Sequence, residues 1–359
     1  MNDILSLALA PPRAFGAALG PARLRESPED FRVDEQLAFA ADGGAAHWLV
    51  CIEKRGVTTL AIVGALSRHA SVSERDIGFA GFKDRHAVTS QHFTVPMRSP
   101  KLGPPPSWEP NALGPPFRVV SAAPHARKLP RGALSGNRFT VVARGVSVPR
   151  EAVEERLAQM AVRGVPNYFG EQRFGRGASN LQAVEDWAAG GPLPGRREER
   201  GFVLSAARSL LFNAALAARV RAGTWDTLVA GDLANLDGSR SRFKVSELDD
   251  TLRRRLAEFD IHPVGTLSGS GETGLAGIAL DSEQAAWTAL PAPWDAVPAV
   301  LVAAGLEVDT RALRLPVREL EWSWEDEALR LAFRLPAGGY ATTVLRELFD
   351  TGYVPEDGG

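Results

Sequence analysis

The sequence reads as a mixed helix-and-strand chain of two units, and three observations carry that reading. Its 359 residues suggest two domains, or one domain with a large insertion. Residues 87–95, AVTSQHFTV, alternate with the two-residue period of a strand. Near residue 165 the composition changes: an aromatic, glycine-rich, basic stretch leads into helical segments. The 45% hydrophobic and 23% charged content is that of a globular chain.

The elements follow in order. MNDILSLALAPPRAFGAALG has Asp3 where a secretory signal would be basic, and prolines break its apolar run. It is read as neither signal nor anchor. No stretch is read as reaching the roughly 18 apolar residues of a membrane span, so a cytoplasmic protein is expected. TTLAIVGALSRHA, residues 58–70, spaces Leu60, Ile62, Val63 and Leu66 as a helix, with Thr58 or Thr59 as its N-cap. DIGFAGF is a strand entering a turn, and 87–95 is a strand with one buried face. Residues 100–117, PKLGPPPSWEPNALGPPF, are read as a loop. NRFTVVARGV (137–146) is a strand, and PREAVEERLAQMAVRG (149–164) is a helix stopped by Gly164. VPNYFGEQRFGRGASNL (165–181) opens the helix-rich unit, and FVLSAARSLLFNAALAARVRAG (202–223) is a buried helix within it. ALRLAFRLPAGGYATTVLRELF (328–349) returns to a strand, a Gly-Gly turn and an amphipathic helix.

The single cysteine, Cys51, excludes a disulfide framework and a multi-cysteine zinc site. The six histidines show no H-E-x-x-H spacing, so no metal site is expected, and His86 and His92 are expected at the surface. There is no G-x-S-x-G elbow. GSGETG (269–274) matches G-x-G-x-x-G, but no helix signal follows it, and it is read as a loop rather than a dinucleotide site. Net charge is only −2, yet the charge is polarised. HARKLPRGALSGNRFTVVAR (125–144) holds Arg127, Lys128, Arg131, Arg138 and Arg144 with no acid, whereas LEWSWEDEALR (320–330) is acidic. One basic face is compatible with that sum.

GFAGFKDRHAVTSQHFTV (78–95) sets Lys83, Asp84 and Arg85 between a glycine turn and a strand. A solvated turn is the ordinary reading of such a triplet. The functional one is a carboxylate kept ionised by neighbouring positive charge and able to act as nucleophile or base. Phe31 in SPEDFRVDE, Phe139 in SGNRF and Tyr340 in LPAGGYAT adjoin turns with polar or basic neighbours. Each is either core or a stacking surface for an unstacked base.

Seven blocks then carry a family likeness: SPEDFRVDE (27–35), FAGFKDRHAVTSQ (79–91), LSGNRFTVVAR (134–144), GVPNYFGEQRFGRGASNL (164–181), LSAARSLLFN (204–213), LSGSGETG (267–274) and LPAGGYATTVLREL (335–348). The chain resembles the tRNA pseudouridine synthase D (TruD) family. The resemblance implies an α+β pseudouridine synthase fold, a mixed and largely antiparallel sheet with flanking helices, plus an inserted family-specific α/β domain. The catalytic domain would span 1–162 and 315–359, with the insertion at 163–314. The implied activity is isomerisation of uridine 13 of tRNA to pseudouridine without a cofactor. By the same likeness Asp84 is the catalytic residue, and Phe31, Lys83, Asn137, Phe139 and Tyr340 bind substrate. Arg25 stands where the family often has lysine and is assigned to RNA binding. Arg127, Lys128 and Arg131 are candidates for phosphate contacts because their cluster leads into GNRF. tRNA is the expected partner, with no membrane, no protein partner and a monomeric state.

Overall fold

The computed structural model describes residues 2–97 and 116–351. Its strands are β1 (Phe31–Leu37), β2 (His47–Arg55), β3 (Val88–Pro96), β4 (Phe117–His125), β5 (Leu134–Arg144), β6 (Leu233–Leu236), β7 (Arg242–Lys244), β8 (Ile261–Leu267), β9 (Asp309–Ala312), β10 (Arg318–Glu325) and β11 (Ala328–Pro336), besides several two-residue strands. Its helices are α1 (Asn2–Leu9), α2 (Thr59–Ala70), α3 (Arg150–Arg163), α4 (Ser179–Ala188), α5 (Arg197–Arg221), α6 (Asp250–Ala257), α7 (Gly277–Thr288), α8 (Val297–Ala303) and α9 (Ala341–Leu348). Packing divides the chain into a sheet unit, Gly20–Ser147 with Arg318–Gly338, and a helical unit, Met1–Leu19 with Val148–Val317 and Gly339–Asp350.

The sheet unit is built on the strand order β10-β11-β5-β1-β3-β2-β4. Only β1 and β3 pair in parallel; the other neighbours along this path are antiparallel. The expected α+β class with a mixed, largely antiparallel sheet is therefore what the chain forms. Helix α2 starts at Thr58, whose hydroxyl accepts from the Ala61 amide. Ile62, Val63 and Leu66 pack with Val50, Ile52, Phe79 and Phe93. Leu60 does not join them: it is 48% exposed, because it points away from the sheet. Strand β3 also differs from its expected single buried face. Thr89, Ser90, Gln91, Phe93, Thr94 and Val95 are all buried, since the strand lies mid-sheet between β1 and β2. Of the loop read at 100–117, residues 100–115 lie outside the described residues, and Phe117 already opens β4.

In the helical unit, α5 runs through the core with α1, α4 and α8 around it. Asn213 of α5 is fully buried and ties three segments together. Its amide donates to the carbonyls of Leu7 and Phe169, and its oxygen accepts from the Phe169 N–H. By length and composition α5 is apolar enough to cross a membrane, contrary to the reading of the sequence. Two-thirds of that apolar window (67%) is buried inside the structure, which is the condition of a central core helix. A small sheet, β7-β6-β8-β9, is antiparallel throughout. GSGETG follows β8, and a helix does follow it, opening at Gly277, which the sequence reading did not foresee. Both neighbours of β8 run antiparallel to it, so the parallel βαβ setting of a dinucleotide site is not formed.

Gly136 lies in β5 beside Asn137, and a β-carbon there would come within 2.3 Å of the Leu335 carbonyl oxygen on β11. Gly136→Ala is predicted to push the two strands apart, costing about 1–3 kcal/mol as overpacking does. A urea midpoint equal to that of the parent chain would contradict this.

Candidate active site

The segment 80–87 has no regular structure, yet its backbone is held at several points. Gln91 of β3 donates from Nε2 to the Gly81 carbonyl (2.6 Å). The Lys83 amide donates to Thr59 Oγ1 (3.1 Å), and that hydroxyl donates to Gln91 Oε1 (3.0 Å). Buried Lys54 of β2 donates from Nζ to the carbonyls of Val57 (2.6 Å) and Asp84 (3.2 Å). Burial pulls the Lys54 ammonium down to about 8; the Asp84 charge opposes this and the Lys83 charge adds to it. The Lys83-Asp84-Arg85 stretch is thus an anchored loop, not a solvated turn.

Lys83 does not point toward Asp84. Its ammonium is 2.8 Å from Glu35 Oε2, and the two side chains are 6% and 0% exposed. Glu35 lies one residue past the last β1–β3 register pair, Asp34 with Ser90. There its Oε1 accepts from the His92 backbone N–H at 3.0 Å and lies 3.4 Å from His92 Nδ1. Burial raises the Glu35 carboxyl, but His92 and Lys83 outweigh it and hold it below the ordinary glutamate value. Burial also works against a charged His92, whose register partner on β2 is Cys51. Cys51 and Glu35 prevail and lift the imidazole to about 9. His92 is therefore a member of an internal charge cluster, not the surface residue the sequence suggested.

Asp84 turns the other way. Its Oδ2 accepts from Arg25 Nη2 at 3.0 Å, and its side chain is 36% exposed against 9% for Arg25. The Arg25 guanidinium lies 3.8 Å from the centre of the Phe31 ring. Phe31 meets Phe139 edge-on at 6.1 Å, and Phe139 stacks on Phe333 at 5.5 Å. Phe31 and Phe139 are both buried. Asn137 pairs in register with Glu35, and its Oδ1 is buried with no hydrogen-bond partner. Asp84, Arg25, Phe31 and Phe139 thus form one chain of contacts, with Asn137 two residues along β5.

Of the basic cluster, Arg131 is drawn to the loop. Its guanidinium lies over Phe79 at 3.4 Å and Phe82 at 4.9 Å, and the next amide, Gly132, donates to the Ala80 carbonyl. Lys128 Nζ donates to the Arg75 carbonyl, and Arg127 is exposed. Tyr340 belongs to the helical unit, where its hydroxyl accepts from Arg173 Nη2 at 3.2 Å. Sequence reasoning gave no role to Glu35, Lys54 or Phe82. Glu35 continues the inward series Phe31, Val33, Glu35, and an acid at an inward strand position was the available signal. Phe82, 59% exposed beside Lys83, carried no signal of its exposure.

A profile of the tRNA pseudouridine synthase D (TruD) family matches residues 19–187 and 197–348. The chain is 43% identical to tRNA pseudouridine synthase D of Xanthomonas euvesicatoria pv. vesicatoria over 94% of both chains. It is 44% identical to that of Nitrosococcus oceani over 93% of this chain and 92% of the other. Among solved structures, a Methanosarcina mazei protein described as a tRNA pseudouridine synthase D superposes with a TM-score of 0.69 at 20% identity, covering 97% of this chain and 98% of that one.

The charge cluster makes stability depend on pH with a defined sign. His92 is raised from 6.5 to about 9, so its contribution is complete below about 6.5 and is lost as pH rises through 9. Glu35 is held low, so its contribution is present above its ordinary value of 4.5 and fades in acid. The stability difference between the parent chain and His92→Gln is predicted to shrink steadily from pH 6.5 to 9 in urea titrations. A difference that stays constant over that range would refute the assignment.

Proposed function

The chain belongs to the tRNA pseudouridine synthase D family, and from that premise we propose that it isomerises uridine 13 of tRNA to pseudouridine with Asp84 as the catalytic carboxylate. The reaction breaks the C1′–N1 bond, turns the uracil and joins C1′ to C5, with the C5 proton lost and a proton gained at the freed N1. Its atoms balance without a donor or an oxidant, so the proposed mechanism assigns it no cofactor. The observation that supports Asp84 is its setting: a partly exposed carboxylate, paired to a nearly buried guanidinium, on a loop pinned through its backbone. Arg25 holds the carboxylate through a 3.0 Å hydrogen bond, and that carboxylate would attack C1′, add to C6 or take the C2′ proton. A carboxylate fixed in place before substrate arrives also spends little free energy on orientation.

The target uridine must leave its stack, at a cost of roughly a few kcal/mol. Stacking on an aromatic residue offsets this by about 1–3 kcal/mol per base; Phe139, 6% exposed and stacked on Phe333, keeps that assignment on the likeness of SGNRF alone. Asn137 Oδ1, buried and unpartnered, is the acceptor we assign to the uracil N3–H. Phe31 carries Arg25 on its face and so couples the aromatic wall to the carboxylate. Lys83 contributes indirectly, by fixing the loop through Glu35. Tyr340 keeps its assignment to substrate binding on the likeness of LPAGGYAT alone. Arg131, seated on Phe79 and Phe82, leads the phosphate contacts, with Arg127 and Lys128 beside it.

Tritium release from tRNA labelled at uracil C5 tests the activity. The parent chain should release tritium, and Asp84→Asn should release none while binding tRNA within a few-fold of the parent. Release by Asp84→Asn at the parent rate would remove Asp84 from the chemistry. No release by the parent from any tRNA in a total pool would leave the fold without the activity. For the basic cluster, reversing Arg127, Lys128 and Arg131 to Glu should weaken tRNA binding and flatten its salt dependence. A salt slope equal to the parent's would sink that assignment.

A further inference from the structure

The helical unit gathers guanidinium groups around neutral acceptors. Arg173 Nη1 donates to Ser205 Oγ (3.1 Å), and Nη2 donates to the Tyr340 hydroxyl (3.2 Å). Arg208 follows Ser205 by three residues on α5 and so shares its face. Its Nη2 donates to the carbonyls of Leu267 and Glu307, each at 2.9 Å. None of these four acceptors carries a charge. Among the described residues neither arginine has a carboxylate within ion-pair distance. The acid whose field reaches Arg208 is Asp309, and its Oδ1 lies 3.7 Å from Arg242 Nη1. The Nε atoms of Arg173 and Arg208 are both buried and without an acceptor.

A third cation lies close to Arg173. The guanidiniums of Arg173 and Arg311 both lie over the Phe169 ring, at 5.5 and 4.2 Å. Burial holds Arg311 down at about 10; the Tyr340 hydroxyl opposes this and Arg173 adds to it. The like charges of Arg173 and Arg311 repel, and the unfilled Nε donors of Arg173 and Arg208 add a desolvation cost. An anion relieves both at once, and forked guanidinium donors match the geometry of phosphate oxygens.

We propose that Arg173 and Arg208 form a binding site for a backbone phosphodiester of the RNA substrate, beside Tyr340 in the helical unit. The proposal rests on reading the chain as an RNA-modifying enzyme. It adds a second phosphate site, separate in sequence from the cluster at 127–131. The site is built by QRF (172–174), α5 and β9, segments brought together only by folding.

The test is the slope of log Kd against log salt for tRNA binding to the full chain. Arg173→Gln and Arg208→Gln should each lower the slope by about 0.7–0.9, the share of one phosphate contact. Arg173→Lys and Arg208→Lys keep the charge and should keep the slope. Ser205→Asp guards against misfolding, because it supplies a carboxylate to Arg173 rather than removing a guanidinium. It should lower the slope by a similar amount. A parent-like slope in folded Gln variants, or in Ser205→Asp, would overturn the proposal. Tritium release by the parent is measured on the same preparations. Its absence would count against the isomerase reading and leave the slope comparison standing.

Discussion

The buried ion pair between Lys83 and Glu35 is the contact on which the candidate site depends. Removing both charges from water is expensive, and their attraction repays it only when geometry is good. Here the 2.8 Å separation is supported on the Glu35 side by the His92 amide and imidazole. The consequence for chemistry is directional. The Lys83 side chain goes inward to Glu35, and that of the next residue, Asp84, goes to Arg25 instead. The triplet that looks like three equivalent solvent charges is split: one cation goes to the interior, the anion to the site, and Arg85 to solvent.

The place of Glu35 follows from the sheet. The β1–β3 pair is the only parallel one in the central path, and its register ends at Asp34 with Ser90. Beyond that point β1 continues on β5 while β3 continues on β2. A carboxylate fills the opening and takes the β3 amide that no longer faces a strand carbonyl. That carboxylate is also the anchor for Lys83. The parting of two strands and the fixing of the loop are served by one side chain.

Periodicity made much of the fold legible. The helices at 59–70 and 150–163 and the strand at 328–336 stand where the residue pattern puts them, because each buries one clear face. The pattern failed where burial was not one-sided. Strand β3 is covered on both faces, and α5 is apolar over enough of its length to pass for a span. Charges were the least legible part. Lys83 and Asp84 are adjacent in sequence, which suggested mutual contact, but their partners are 48 and 59 residues away. Arg25 reaches Asp84 from a residue with positive φ (58°), a conformation its side chain does not announce. No local pattern encodes such pairings.

The net charge of −2 gives no hint of a polyanionic partner, and the distribution explains why. Many surface arginines are spent on neighbouring acids: Arg23 on Glu26, Arg55 on Glu29, Arg138 and Arg334 on Glu319. These exposed pairs are worth little individually and cancel in the far field. Among the described residues, other arginines end their hydrogen bonds on neutral groups or rings and keep their charge uncompensated by an adjacent acid: Arg173 and Arg208 are of the first kind, and Arg131 is seated on aromatic rings. On the proposed reading these are the cations left for a polyanion. Asp84, by contrast, has its cation already in place. In the proposed reaction a carboxylate brought toward RNA phosphates without that counter-charge would repel them; the Arg25 guanidinium screens that repulsion on the side from which a uridine would approach Asp84.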